Sequence, residues 1–141
     1  MIYEVKCPIL GFTNTQQVNL ESHDGLTTLL TCSKQNELQL TLINTSKDKE
    51  YFEIPLAIQA LLDINKDTNY SVYFTVIINK IIPKSIINLG APIIFNEDNK
   101  TVAQCVISND TITLEEIESM DSPSFKYDFK NALKVSNLIK E

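Results

Sequence analysis

The chain has 141 residues, 43% of them hydrophobic, and a formal net charge of −6. That size suits one domain with a closed hydrophobic core and leaves no room for two well-packed ones. All twelve basic residues are lysines; arginine, which makes the forked contact to phosphates and guanine edges, does not occur, so composition argues against direct nucleic-acid binding.

The opening residues Met1 to Lys6 lack the basic start and apolar run of a secretion signal, and Lys80 and Lys84 interrupt the longest apolar region before it reaches bilayer length. The expectation is a cytoplasmic protein that does not enter a membrane. Three cysteines, Cys7, Cys32 and Cys105, are odd in number and far apart, which fits reduced thiols. One histidine and no Cys-x-x-Cys predict no zinc site.

Ile2 to Cys7 reads as the opening strand, and Cys7 to Phe12 as the turn out of it. Leu26 to Cys32 is open between strand and helix. Its β-branched threonines and the turn residues Ser33 to Asn36 favour a strand in a hairpin. Glu37 to Ile43 alternates with period two, as a half-buried strand does. Pro55 suits a first helical residue, and Ile58, Leu61 and Leu62 then share one face of a short helix. Tyr70 to Ile78 is the strongest strand, with Val72, Phe74, Val76 and Ile78 on one face and Tyr73, Thr75 and Ile77 on the other, so both faces are expected to be largely covered.

Pro92 to Asn96 and Thr101 to Ile107 form two β-rich runs joined by Glu97-Asp98-Asn99-Lys100, a hairpin with a longer loop. Pro92 predicts a strand start or an edge, and it drives Ala91 out of the helical region. Beyond Asp110 the character changes. Thr113 and Glu116 fit a capping box for a short helix through Met120, and Ser122-Pro123 opens a second helix running to about Ile139. In that helix Phe125, Phe129 and Leu133 recur every four residues beside Lys126, Lys130 and Lys134.

Catalytic chemistry finds little footing. His23 next to Asp24, the one imidazole, falls in the polar stretch Glu21 to Gly25 that reads as a solvated turn. The carboxylates Glu115, Glu116 and Glu118 are accounted for by a first-turn helix bias and a solvated face. Cys105 is expected to pack as a small hydrophobe. Asn88-Leu89-Gly90-Ala91 carries one glycine and is no phosphate loop. No catalytic, cofactor or metal residues are assigned. Charge is segregated instead: the cluster Asp110, Glu115, Glu116, Glu118 and Asp121 contains no lysine, whereas the following tail carries four. This makes Asp110, Glu115, Glu116, Glu118, Phe125, Phe129, Lys130 and Leu133 the candidate partner-binding residues.

Several motifs resemble the FliW family. They are Lys6 to Phe12, Leu42-Ile43-Asn44, Tyr51 to Pro55, Leu61-Leu62 and, most specifically, Ser85 to Asp110 with its Asn-Leu-Gly-Ala-Pro core. Thr45 stands where the family usually has a proline, and no tyrosine follows Asn109-Asp110 where many members have one. The resemblance implies a mainly β, compact antiparallel barrel-like single domain over 1–141, with a β-rich core to 110, one short internal helix and a C-terminal helical segment. It implies no cofactor and no catalytic site. By resemblance the role is regulatory: binding flagellin in the cytoplasm and antagonising CsrA, a translational repressor, so that flagellin level controls flagellin translation. The alternative is a flagellin chaperone without CsrA antagonism.

Overall fold

A computed structural model describes residues 1–9, 16–23, 26–31, 39–44, 53–77, 79–108, 111–113 and 115–116. Among them, nine strands and the helix α1 follow in the order β1 Ile2–Cys7, β2 Gln17–His23, β3 Leu26–Thr31, β4 Gln39–Asn44, α1 Leu56–Leu61, β5 Tyr70–Ile77, β6 Ile86–Asn88, β7 Ile93–Asn96, β8 Thr101–Gln104 and β9 Thr111–Thr113, with a further helix start at residues 115–116. A 3-10 turn, Ile82–Lys84, lies between β5 and β6.

The strands form one sheet in the order β4-β3-β2-β1-β8-β7-β5-β6-β9, and β4 pairs a second time, with β5. Three features correct the expected antiparallel barrel. First, β1 runs parallel to β8, Glu4 opposite Thr101 and Val5 opposite Val102, with a register shift before Cys7. Second, the nine strands do not close as one barrel. The β4–β5 pairing folds the long arm back, but β6 and β9 continue past β5 as a separate arm. Third, β9 is a strand where only helix was expected after Asp110.

Burial follows the period-two rule on both sides of the central strands. On one side Tyr3, Val18, Leu29, Leu42, Tyr73, Ile93, Phe95 and Val102 pack together. On the other, Val72, Phe74, Val76, Ile94 and Ala103 meet Ile58 of α1 and Leu62 at its C-cap, with Ile87 of β6 and Ile112 of β9. Strands β5, β7 and β8 therefore separate two apolar clusters, which is why their sequences are apolar on both faces. Phe95, fully buried, touches Tyr3 and Tyr73 edge-to-face at centroid distances of 4.8 and 5.2 Å; removing such a ring from water is worth about 3 kcal/mol.

Several local expectations need correction. Helix α1 buries Ile58, and its C-cap Leu62 is buried too, whereas Leu61 is exposed, because the row Ile54, Ile58, Leu62 at four-residue spacing is the one that meets the sheet. Strand β5 is largely covered, as expected, with only its last residue Ile77 exposed; Ile78 is outside the described residues. His23 is not in a turn: it is the last residue of β2, paired with Leu26. Cys32, the turn at Ser33 to Asn36, Thr45 and the proposed helices beyond Glu116 lie outside the described residues. By contrast, β3 resolves the Leu26 to Cys32 ambiguity as strand, and β7 and β8 with their loop 97–100 are the hairpin read from the sequence, although β8 ends at Gln104 and Cys105 to Ile107 lie beyond it. Pro92 directly precedes β7, a strand start. It is no edge, since β7 lies between β5 and β8.

Candidate functional site

The block from Ser85 to Ser108 is built as scaffold. Gly90 is its tightest point: a Cβ placed there would lie 2.1 Å from the Ser108 carbonyl oxygen, so no larger residue fits without moving backbone. The Gly90 carbonyl accepts the amides of Ile107 and Ser108 at 2.7 and 3.2 Å, and Pro92 accepts that of Cys105 at 3.0 Å. Gln104, buried, donates its side-chain amide to the Ala91 carbonyl at 2.9 Å. The Gly-Ala-Pro run is therefore clamped along the chain that continues β8, with all three of its carbonyls accepting hydrogen bonds.

The hairpin loop is the second organised element. Asn96, buried, donates to the Leu62 carbonyl at the end of α1 at 2.7 Å, and its own side-chain oxygen accepts the amides of Asp98 and Asn99 at 2.9 and 3.2 Å. Asn99 donates to the same Leu62 carbonyl at 3.2 Å. Two asparagines of the hairpin thus satisfy a carbonyl left over at the helix end. Lys100 takes the left-handed conformation, φ 57°, that closes the loop. Beside it the Tyr3 hydroxyl donates to Glu97 at 2.6 Å, Lys100 approaches Glu97 at 3.6 Å, and the Lys100 ammonium lies 5.6 Å from the Tyr3 ring centroid. Burial first, and then the hydrogen bond and charge of Glu97, hold the Tyr3 phenol well above its ordinary range.

The third element is acidic. The Thr113 amide and hydroxyl both donate to Oε1 of Glu116 at 3.1 Å, and the Glu116 amide donates to the Thr113 hydroxyl at 3.0 Å. This is the reciprocal capping box expected from the sequence, and it sets Glu115 and Glu116, both exposed, at a helix start directly after β9. Of the candidate partner-binding residues, these two are placed. Asp110, Glu118, Phe125, Phe129, Lys130 and Leu133 lie outside the described residues.

Chemically these elements bind and position. Among the described residues no three of His, Cys, Asp and Glu come together to hold a metal ion. Cys105 is buried, and burial followed by the neighbouring Cys7 pushes its thiol up, away from the reactive thiolate. No helix among the described residues is long and apolar enough to cross a membrane. Sequence reasoning missed the Tyr3–Glu97–Lys100 cluster, whose members are joined only by the tertiary fold. It also missed the exposure of Val106 and Ile107, which follow β8 in an unbroken apolar run.

Comparison with known proteins agrees with this architecture. The family model described as FliW protein matches residues 1–117. Flagellar assembly factor FliW 1 of Wolinella succinogenes is 37% identical over 100% of both chains. Flagellar assembly factor FliW of Sulfurimonas denitrificans is 38% identical over 79% of this chain and 89% of its own, and that of Helicobacter pylori strain G27 is 34% identical over 90% and 89%. A crystal structure of the flagellar assembly factor FliW superposes with a TM-score of 0.65 over 77% of this chain and 79% of the other, at 21% identity, and so shares the fold. The chain belongs to the FliW family of flagellar assembly factors.

Proposed function

We propose that this protein acts in the cytoplasm as a non-enzymatic regulator that binds flagellin and antagonises the translational repressor CsrA, so that free flagellin draws it away and lets CsrA silence flagellin translation. The observation that carries the reading is the rigid acidic start at Glu115 and Glu116, fixed by the Thr113 capping box on a chain of net charge −6. An RNA-binding repressor presents a basic surface to phosphates. An acidic neighbour placed beside that surface opposes RNA by repulsion within about 8 Å at physiological salt, without needing to cover the RNA site itself. The partner-binding residues in this reading are Asp110, Glu115, Glu116 and Glu118, with Phe125, Phe129, Lys130 and Leu133 of the tail.

The test reverses Glu115 and Glu118 to lysine and spares Glu116, whose carboxylate holds the capping box. CsrA affinity is measured by calorimetry and RNA displacement by gel shift, at low and high salt. Charge reversal weakens the block on RNA more than it weakens CsrA binding, and the wild-type block fades as salt rises. Unchanged RNA inhibition by a charge-reversed protein that still binds refutes the electrostatic mechanism, and absence of any CsrA binding refutes the antagonism. The phenylalanine and lysine spacing of the tail favours a second reading, a flagellin chaperone without CsrA antagonism. It is selected if flagellin alone co-purifies with the protein from lysate.

A further inference from the structure

Helix α1, Leu-Ala-Ile-Gln-Ala-Leu, contains no charged residue. Ile58 and the C-cap Leu62 are buried against the sheet, whereas Leu56, Ala57, Ala60 and Leu61 are all exposed, Leu56 at 81%. At about 100° per residue these four share one arc of about 140°, in the order Leu56, Ala60, Ala57, Leu61. Two leucines thus flank two alanines, a shallow saddle whose small-residue floor lets another helix approach closely. The solvent side of a surface helix is ordinarily polar or charged. A helix that is apolar on both sides has a second surface to cover.

Charge at the two ends of this face says what covers it. Exposed Glu53 stands three residues before Leu56, and exposed Asp63 directly follows the C-cap Leu62. Asp67 is exposed beyond it, and Asp98 is held at the same end, because Asn96 and Asn99 on either side of its loop both bond the Leu62 carbonyl. Lys66 is the one lysine between Glu53 and Asn69. Asp63 also runs against two local preferences: its φ of 57° suits glycine, and it sits at the negative end of the helix, where a cation is favoured. A second copy of the chain is a poor cover. Across a two-fold axis, antiparallel helices set Glu53 against Asp63 and parallel helices set each carboxylate against itself, like charge on like in both cases. We propose that the Leu56, Ala57, Ala60 and Leu61 face of α1 docks an amphipathic helix of another protein, one with a row of large aliphatic side chains and lysine or arginine at both ends of that row. The aliphatic row lies on the alanine floor between the two leucines, and the basic ends meet Glu53 on one side and Asp63, Asp67 and Asp98 on the other. The contact uses none of the residues assigned above to CsrA and flagellin.

The test uses the full chain and a synthetic amphipathic peptide of about 15 residues, long enough to hold a helix, with a leucine row and lysines at both ends; its twin carries glutamates at those ends. Binding is read by fluorescence anisotropy. The lysine-ended peptide binds, and the twin binds about tenfold or more weakly. Leu56→Gln with Leu61→Gln, both at exposed positions, weakens the lysine-ended peptide by about tenfold or more, whereas Ile2→Gln, at an exposed aliphatic of β1, leaves it unchanged. Ala57→Arg fills the floor without touching either leucine and gives the same loss. Glu53→Lys with Asp63→Lys reverses the preference between the two peptides. No binding to the wild-type chain, equal binding of the twins, or leucine and alanine variants that bind as wild type does each overturn the proposal. Sedimentation supplies a further arm: a wild-type dimer that Leu56→Gln with Leu61→Gln dissociates assigns the face to a second copy and likewise overturns it.

Discussion

The phenol of Tyr3 donates a 2.6 Å hydrogen bond to the Glu97 carboxylate, tying the first strand to the β7–β8 loop across 94 residues of chain. Tyr3→Phe keeps the ring against Phe95 and removes only that bond, so it costs about 1–2 kcal/mol in denaturant unfolding. A titration accompanies the loss. Because the folded protein holds Tyr3 above its ordinary value near 10, the unfolded chain releases that proton first. Stability from this group is complete below pH 10 and declines as pH climbs above it. Tyr3→Phe flattens the decline, measured as unfolding free energy between about pH 9 and 11, around the ordinary tyrosine value. An equal slope in both proteins defeats this account.

Gly90→Ala forces backbone apart, since the new Cβ would sit 2.1 Å from the Ser108 carbonyl oxygen. The expected loss is about 2–3 kcal/mol, read from the shift of the unfolding midpoint. Ser108→Ala in the same chain gives no rescue, because the obstructing oxygen is main-chain. Rescue by that second substitution shows the clash to be with the side chain instead.

The two asparagines that donate to the Leu62 carbonyl are unequal. Asn96 also accepts two loop amides and is buried, so Asn96→Ala strands the amides of Asp98 and Asn99, leaves a buried cavity and costs about 2–4 kcal/mol. Asn99→Ala leaves Leu62 still bonded to Asn96 and costs less than about 1 kcal/mol. Comparable losses from thermal unfolding of the two variants contradict this ranking.

Asp63, exposed just past α1, holds φ 57°, a conformation that glycine adopts without steric cost. Asp63→Gly is expected to stabilise the protein by about 0.5–1 kcal/mol in the same unfolding assay. Destabilisation means that the aspartate side chain contributes more than its backbone costs.

How much the sequence discloses depends on the distance over which each signal acts. The β7–β8 hairpin, β5, and the Thr113–Glu116 capping box rest on neighbouring residues, and periodicity or capping chemistry reveals them. Strand β2 alternates at Val18 and Leu20, but its polar end, Glu21 to His23, reads as the turn that follows it. Strands β6 and β9 are three residues each, too short for any period, and exist because each pairs with a neighbour. The parallel match of β1 to β8 and the bond from Tyr3 to Glu97 have no local signature at all. The helix start at Glu115 and Glu116 is legible through the capping box, because Thr113 and Glu116 are three residues apart.

The parallel pairing of β1 with β8 also governs the order in which the protein can be completed during synthesis. Strand β1 emerges first and can hairpin with β2, yet its other edge must wait for Thr101 to Ala103. At ribosomal speeds that interval is roughly 5–20 s. Throughout it a nascent strand bearing Tyr3 and Val5 shows an unpaired edge to every neighbouring chain. In β1 the side chains that alternate with these two are Glu4 and Lys6, an oppositely charged pair 3.2 Å apart that marks the waiting edge with solvated charge.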